Sequence, residues 1–434
     1  MKVLHLSNSD SNGAGRAALR LHRGLRKLNV DSQLLVQYKL GDEPAVLPPQ
    51  MKLEKASLKL KLTEHLDKLP LRLYRQRKSS DFSLEWVPDF IAPKVTDRKP
   101  DMLNLHWVCH GFLKIETLKR FAQPLVWTLH DMWAFTGGCN YSQGCDRYMS
   151  SCGKCPLLNS DRNWDLSRWV WQRKAKAWKD LDLTLVTPSS WLAQCASASS
   201  LFQDRRVEVI PNSLDTQIYK PLPRQIARDR LNLPQDKHLI LFGAMYANTD
   251  RRKGFHLLQP ALQNLSQSGW QERIELIVFG EFGANEPLDL GFKSHYLGKL
   301  SDDISLALVY AAADVFVAPS LQDNLPNTVM EAIACGTPCV AFNIGGMPDL
   351  IEHNSNGYLA QPYEIEDLAR GIAWVIENPE RHQKLCDRAR QKAEQEFSLE
   401  VQARRYESLY RELLTSSHSP GTNAASQAES VNYS

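Results

Sequence analysis

Residues 314–346 constrain the fold of this chain more than any other stretch, because an apolar strand, a proline-started helix and a second apolar strand follow one another there with little room between them. Asp314 to Ala318 reads DVFVA, the short, nearly continuous apolar run of a strand buried on both faces of a parallel sheet. Pro319 and Ser320 break it. Pro326 suits the first turn of a helix, where its missing N–H would be unpaired anyway, and Asn327 to Cys335 then places Val329, Ala332 and Ile333 on one face. Gly336 closes that helix, and Pro338 to Phe342 reads as a second strand. The stretch therefore predicts a βαβ unit whose ligand side is the carboxyl end of its first strand.

Two acids sit on that side. Asp323 falls in the loop and Glu331 lies eight residues on, in the helix, with the N–H groups of the helix start between them. Carboxylates accept hydrogen bonds from sugar hydroxyls, while a helix N-terminus attracts phosphate, so a nucleotide sugar would use all of these groups. Taken alone, the same pair reads equally as a turn-forming Asp and a solvated helix Glu.

The stretch PSLQDNLPNTVMEAIACGTPCV resembles the signature of the retaining nucleotide-sugar glycosyltransferases of family 4, in which two Glu residues are separated by seven positions within PS-x-x-E-G-F-G and E-A-x-A-x-G-x-P-V-V. Asp323 stands in place of the first Glu, and Asn324, Leu325 and Pro326 in place of Gly-Phe-Gly. The resemblance implies α/β architecture of the GT-B type: two Rossmann-like domains facing a cleft, with a C-terminal helix crossing back to the first. It places Asp323 on the donor sugar and Glu331 on the ribose, with Asn324, Leu325 and Asn327 lining the donor.

At 434 residues the chain accommodates two domains of ordinary size. A hydrophobic fraction of 43% with 23% charged residues is that of a globular protein, and no run of eighteen apolar residues occurs. The start MKVLHLSNSD reads as a strand rather than a signal peptide, and the expected location is the cytoplasm. A net charge of +3 argues against a dedicated nucleic-acid binder. Contact with the inner face of a membrane would have to come from a local patch. Residues 51–80 offer one, with nine Lys or Arg against three acids and Leu58, Leu62, Leu66, Leu69 and Leu73 at helical spacing. An ordinary surface helix with its leucines in the core has the same pattern.

The first strand, Lys2 to Leu6, runs into a loop containing Gly13 and Gly15 and then a helix carrying Ala17, Leu21 and Leu25. The loop lacks the dinucleotide fingerprint; family resemblance sets Gly15 and Arg16 over the donor phosphates. Ser32 to Gln37 is a second strand, and residues 100–107 and 124–130 two more, ending in His106–Trp107 and His130–Asp131. His130 resembles the family's cleft histidine, with His106 the weaker candidate. Cys139, Cys145, Cys152 and Cys155 fall within seventeen residues; in a cytoplasmic protein that clustering favours a structural zinc, which four thiolates would close to catalysis, over a redox pair or free thiols. A subset of family 4 enzymes acting on exopolysaccharides carries a similar insertion.

Val207 to Asp215 resembles the family segment that ends the first domain, giving residues 1–215 and 216–397 as the two domains, 398–415 as the closing helix and 416–434 as a small, polar, disordered tail. In the second domain, His238 to Ala244 is a strand, followed by Arg251, Arg252 and Lys253 ahead of Gly254 and a helix, a place suited to a diphosphate. Lys253–Gly254 matches the family's Lys-Gly. Ala244 occupies its usual arginine position, so Arg251 or Arg252 is expected to substitute. Backbone groups from Gly298 to Leu300 are expected at the nucleobase by resemblance, and Gly345–Gly346 resembles the family's glycine pair.

The expected reaction is transfer of a sugar from a nucleoside diphosphate sugar to a saccharide or lipid-linked acceptor in cell-surface polysaccharide synthesis. Lys253 would offset charge on the departing diphosphate, His130 and Asp323 would sit at the sugar, and no catalytic cofactor or metal is expected, since no Asp-x-Asp lies beside these elements. A nucleotide-sugar epimerase and a non-catalytic sugar-nucleotide-binding protein are the alternatives.

Overall fold

The computed structural model describes residues 1–48, 53–78, 80–243, 250–280, 290–300 and 302–417. Ala244 and the tail beyond residue 417 lie outside them. The βαβ pattern of residues 314–346 recurs along the chain and generates two all-parallel sheets. The first contains β1 (Lys2–Ser9), β2 (Asp31–Tyr38), β3 (Val46–Leu47), β4 (Met102–Leu105), β5 (Leu125–Thr128), β6 (Leu183–Thr187) and β7 (Val207–Val209), in the order β3-β2-β1-β4-β5-β6-β7. The second contains β8 (His238–Gly243), β9 (Ile274–Phe279), β10 (Ser294–Gly298), β11 (Val315–Ala318), β12 (Cys339–Phe342) and β13 (Gly357–Ala360), in the order β10-β9-β8-β11-β12-β13.

Helix crossovers cover both faces of such sheets, so their central strands are nearly continuous apolar runs; β4, β5, β9, β11 and β12 are buried throughout, with Asn104, Thr128 and Glu275 the polar exceptions. The order reverses between β1 and β4 in one sheet and between β8 and β11 in the other. Crevices open at the carboxyl ends of strands at such switch points. The glycine loop and His106 flank the first. Residues 250–254 and 319–324 flank the second.

Asp314, read from sequence as the first strand residue, instead anchors β11: its carboxylate takes Arg228 at 2.7 Å and the Leu239 N–H at 2.7 Å, all buried. The last helix, Leu399–Ser417, crosses back as expected and runs two residues past the expected end. Its Ala403, Tyr406, Leu409 and Tyr410 complete a core with Val3, Leu21, Leu25, Met102, Val126 and Val186 of the first sheet and first helix. The two tyrosine hydroxyls reach Thr128 at 2.9 Å and Asn104 at 2.6 Å, so the polar groups that this helix buries are paired.

The basic segment forms helix Leu53–Lys68 and a short 3-10 turn, Leu69–Leu73. Its leucines divide: Leu71 is buried, whereas Leu62, Leu69 and Leu73 are 55%, 42% and 82% exposed. Asp67 explains the hold on the segment, since its buried carboxylate accepts from the N–H groups of Leu84 (3.1 Å) and Trp86 (3.2 Å).

Candidate active site

The carboxyl ends of the two sheets face each other, and the loop 319–326 lies between them. Gly346 permits this loop's course: a Cβ there would meet the Asn324 carbonyl oxygen at 1.5 Å, while the Gly346 N–H donates to the Asp323 carbonyl at 3.0 Å. The loop is thereby pressed onto the first domain. Asn324 accepts from the Ser189 hydroxyl at 2.6 Å and donates to the His130 carbonyl at 3.2 Å, and Asn327 donates to the Gly13 carbonyl at 3.3 Å. Leu325 is buried beneath.

Asp323 is the electrostatic centre of the second domain's side. Lys253 Nζ lies 2.7 Å from its Oδ2, and Arg252 3.5 Å from the same oxygen while also donating to the Gln322 carbonyl at 2.9 Å. Burial would raise the Asp323 carboxyl, but Lys253 and then Arg252 outweigh it and hold it below the ordinary carboxylate range. Arg252, not the exposed Arg251, turns inward. The ring of Tyr141 lies under its guanidinium, 4.5 Å from the centroid.

On the first domain's side, Asn12 caps helix Gly13–Lys27 by accepting from the Gly15 N–H at 2.7 Å. Only glycine fits at 15, because a Cβ would meet the Ser9 carbonyl oxygen at 2.1 Å. Arg16, the next residue, and Arg20, a turn further on, both point at the second domain. Arg20 pairs with Glu331 at 2.8 Å, and Arg16 reaches Glu331 at 3.4 Å, the Tyr219 hydroxyl at 3.0 Å and the Asp303 carboxylate. Tyr310 donates to the other Glu331 oxygen at 3.3 Å. Glu331 and Arg20 are both buried, so this is an ion pair out of water across the cleft.

His130 follows β5, half-buried, with its Nε2 3.0 Å from His106 Nδ1; burial lowers its pKa to about 4. Asp131 faces away, accepting from Trp107 Nε1 at 2.9 Å and the Trp133 N–H at 2.8 Å, and burial raises it to about 6. The cluster therefore joins Gly15, Arg16, His130, Arg252, Lys253, Asp323, Asn324, Leu325, Asn327 and Glu331 in one cleft. Leu300 is partly buried against the second domain's core, the cluster that also holds Leu325.

Arg20, Tyr141, Ser189, Tyr219, Asp303 and Tyr310 were not legible as site residues. Arg20 had a signal, four residues after Arg16 on the same helix face. Tyr141 had none, because it reaches the site from the cysteine-bearing insertion. Gln143 of the same insertion makes an equally direct link, its N–H donating to Gln322 Oε1 at 3.0 Å.

Cys139, Cys145, Cys152 and Cys155 are unbridged, and each lies close enough to the other three to act on them electrostatically. Burial is the main influence on Cys152, raising it to about 12. Among the described residues, no three or more His, Cys, Asp or Glu side chains stand at the mutual separations of metal ligands. A zinc would have to draw the four thiols inward.

Residues 11–218 match the family described as Glycosyltransferase Family 4, and residues 223–394 the family described as Glycosyl transferases group 1. The chain is built of two glycosyltransferase domains. Among curated relatives, the chain is 27% identical over 171 residues to an uncharacterized glycosyltransferase of Haemophilus influenzae, covering 38% of this chain and 46% of the relative. It is 25% identical over 291 residues to WcaC of Escherichia coli K12, named as a colanic acid biosynthesis glycosyl transferase, covering 62% and 66%. The aligned part thus spans about half to two thirds of these relatives. Among solved structures, Anabaena HepE in complex with UDP-glucose superposes with a TM-score of 0.62 at 18% identity, over 96% of this chain and 100% of HepE. That likeness shows the GT-B fold.

Proposed function

We propose that this glycosyltransferase transfers a sugar from a nucleoside diphosphate sugar to a saccharide or lipid-linked saccharide of a cell-surface polysaccharide, with retention of anomeric configuration. The observation that carries the reading is the placement of Lys253 and Arg252 around buried Asp323, at a parallel-sheet switch point and opposite His130. The UDP-glucose bound by HepE supports the donor class, and the name of WcaC supports the polysaccharide.

In this mechanism Lys253 and Arg252 meet the diphosphate, Asp323 accepts from sugar hydroxyls, and Glu331 holds the ribose beside Arg20. The acceptor hydroxyl attacks the anomeric carbon, the bond from that carbon to the diphosphate breaks, and the leaving phosphate oxygen takes the hydroxyl proton. Cations already fixed in a partly desolvated cleft stabilise the charge that grows on the leaving group without reorganising. The contacts from Asn324, Asn327 and Ser189 that hold the cleft shut also keep water from competing with the acceptor.

Thermal melting with UDP, GDP and ADP tests the donor site. One diphosphate at a hundred times its Kd is expected to stabilise the folded protein by about 2.7 kcal/mol, and Asp323→Ala is expected to lose the additional shift given by the matching sugar nucleotide. A folded protein unmoved by any of the three at millimolar concentration sinks the reading. Incubation with donor alone, followed by product analysis, would reveal an epimerase instead.

For the insertion, the proposal is a structural zinc on Cys139, Cys145, Cys152 and Cys155. Lys174 supports it: this lysine is fully buried, donates to the carbonyls of Trp133 and Thr136, and lies near Cys139 and Cys152. A tetrathiolate zinc carries two negative charges that a buried ammonium would offset. Metal analysis of the purified protein is expected to find one zinc per chain, and chelation to lower the melting temperature. Metal-free protein that melts identically with and without chelator rules the zinc out.

A further inference from the structure

Three histidines from neighbouring strands form a continuous chain that the transfer mechanism has not used. His5 lies on β1, His106 just past β4, and His130 just past β5, three strands adjacent in the sheet. His5 Nδ1 is 3.0 Å from His106 Nε2, and His106 Nδ1 is 3.0 Å from His130 Nε2. Successive ring centroids are 5.3 Å apart. His5 and His106 are buried, while His130 is partly exposed to the cleft.

A neutral imidazole has one N–H and one lone pair, so the chain admits two arrangements. In one, each ring donates towards the cleft: His5 Nδ1–H to His106, His106 Nδ1–H to His130 Nε2, leaving His130 with Nδ1–H. In the other, every bond reverses and His130 presents a bare Nδ1. The inner end decides between them. Among the described residues His5 Nε2 is buried without a partner, and in the reversed arrangement it would be an orphaned N–H, the rarer and costlier of the two buried defects.

We propose that His5 and His106 are positioning residues that fix His130 with its Nδ1–H directed to the cleft, as a hydrogen-bond donor and not a base. Burial keeps the chain neutral: it lowers His5 to about 3 and His130 to about 4, and holds His106 well below the ordinary value. The titratable neighbours agree. His22, on the first helix, faces His5 and is itself lowered to about 4, with its Nδ1 2.8 Å from the Ser32 hydroxyl. Asp131 is committed to Trp107 and Trp133. The Trp127 indole, which packs behind the chain, donates to the His106 carbonyl at 3.1 Å.

For the mechanism above, on which this role in the reaction rests, the consequence is direct. His130 donates to an oxygen of the sugar or diphosphate, and the acceptor's proton goes to the leaving phosphate because this ring has no free lone pair to take it.

Two-bond proton–nitrogen correlation spectra of protein labelled with nitrogen-15 in its histidines test the arrangement without substrate, so they stay informative even if no nucleotide binds. His130 is expected to show a protonated Nδ1 and a bare Nε2, with no titration near the ordinary value of 6.5. In His106→Leu, His130 should populate both tautomers and its titration should move up. His106→Asn, whose amide can still donate to Nε2, should restore the Nδ1–H form. A role for His106 in packing alone would leave the tautomer unchanged in His106→Leu. If that variant does not fold, the wild-type spectrum still decides, since a protonated Nε2 on His130 overturns the proposal.

Discussion

Lys253→Ala is expected to lower the transfer rate by about 10²–10³, equivalent to about 2.7–4 kcal/mol of lost transition-state stabilisation, the usual effect of removing one preorganised electrostatic group. The loss should fall on kcat more than on KM, because the charge that Lys253 offsets grows as the diphosphate departs. Part of the effect has a second origin. Lys253 is the nearer of the two cations on Asp323, at 2.7 Å against 3.5 Å for Arg252, so the variant also loosens the acid assigned to the sugar. Initial rates with a matched donor and acceptor, measured for Lys253→Ala, Asp323→Ala and the double variant, separate the two. Losses in the single variants that fail to add would show the pair acting as a unit. A Lys253→Ala rate within a few-fold of the wild type would remove this residue from the mechanism.

Glu331→Ala carries the largest expected cost to stability. It strips the counter-charge from Arg20, a buried guanidinium that pairs with Glu331 at 2.8 Å, and removes the acceptor of the Tyr310 hydroxyl. Breaking one side of a buried pair costs about 3–5 kcal/mol, whereas replacing both partners by well-packed apolar groups is often neutral or better. Denaturant melts of Glu331→Ala, Arg20→Met and the combination Arg20→Met with Glu331→Leu are therefore expected to show two destabilised single variants and a recovered double. If Glu331→Ala costs under about 1 kcal/mol, the pair behaves like an exposed one and the closed cleft does not depend on it. The pair also couples fold to function, since it joins the first helix to the acid proposed to hold the ribose.

The strands were readable because parallel strands covered on both faces are nearly continuous apolar runs, a local signal needing no partner. Residues 315–318 and 339–342 were located to within a residue of their ends. The two-residue strand Val46–Leu47 was not, being too short to carry a period. The leucine stripe of residues 58–73 shows the limit of periodicity. Its spacing gave an amphipathic helix, yet Leu62, Leu69 and Leu73 face solvent, because the hold on the segment comes from Asp67 and not from the stripe.

The sequence alone determined two parallel-sheet halves, a returning last helix, and the neighbourhood of the cleft: acid and base at 253, 323 and 331, glycine at 15, histidine at 130. The strands and helix starts follow from short-range physics, buried periodicity above all, whereas the facing halves, the returning helix and the roles at 15, 130, 253, 323 and 331 came from the resemblance to family 4. Only the tertiary structure decided which groups meet. It chose Arg252 over Arg251, turned Arg16 and Arg20 onto Glu331, brought Tyr141 from the insertion to Arg252, and aligned His5, His106 and His130 across three strands. Those pairings join residues far apart in the chain. Their energies depend on burial and orientation that the folded sheets set, and spacing in sequence does not encode them.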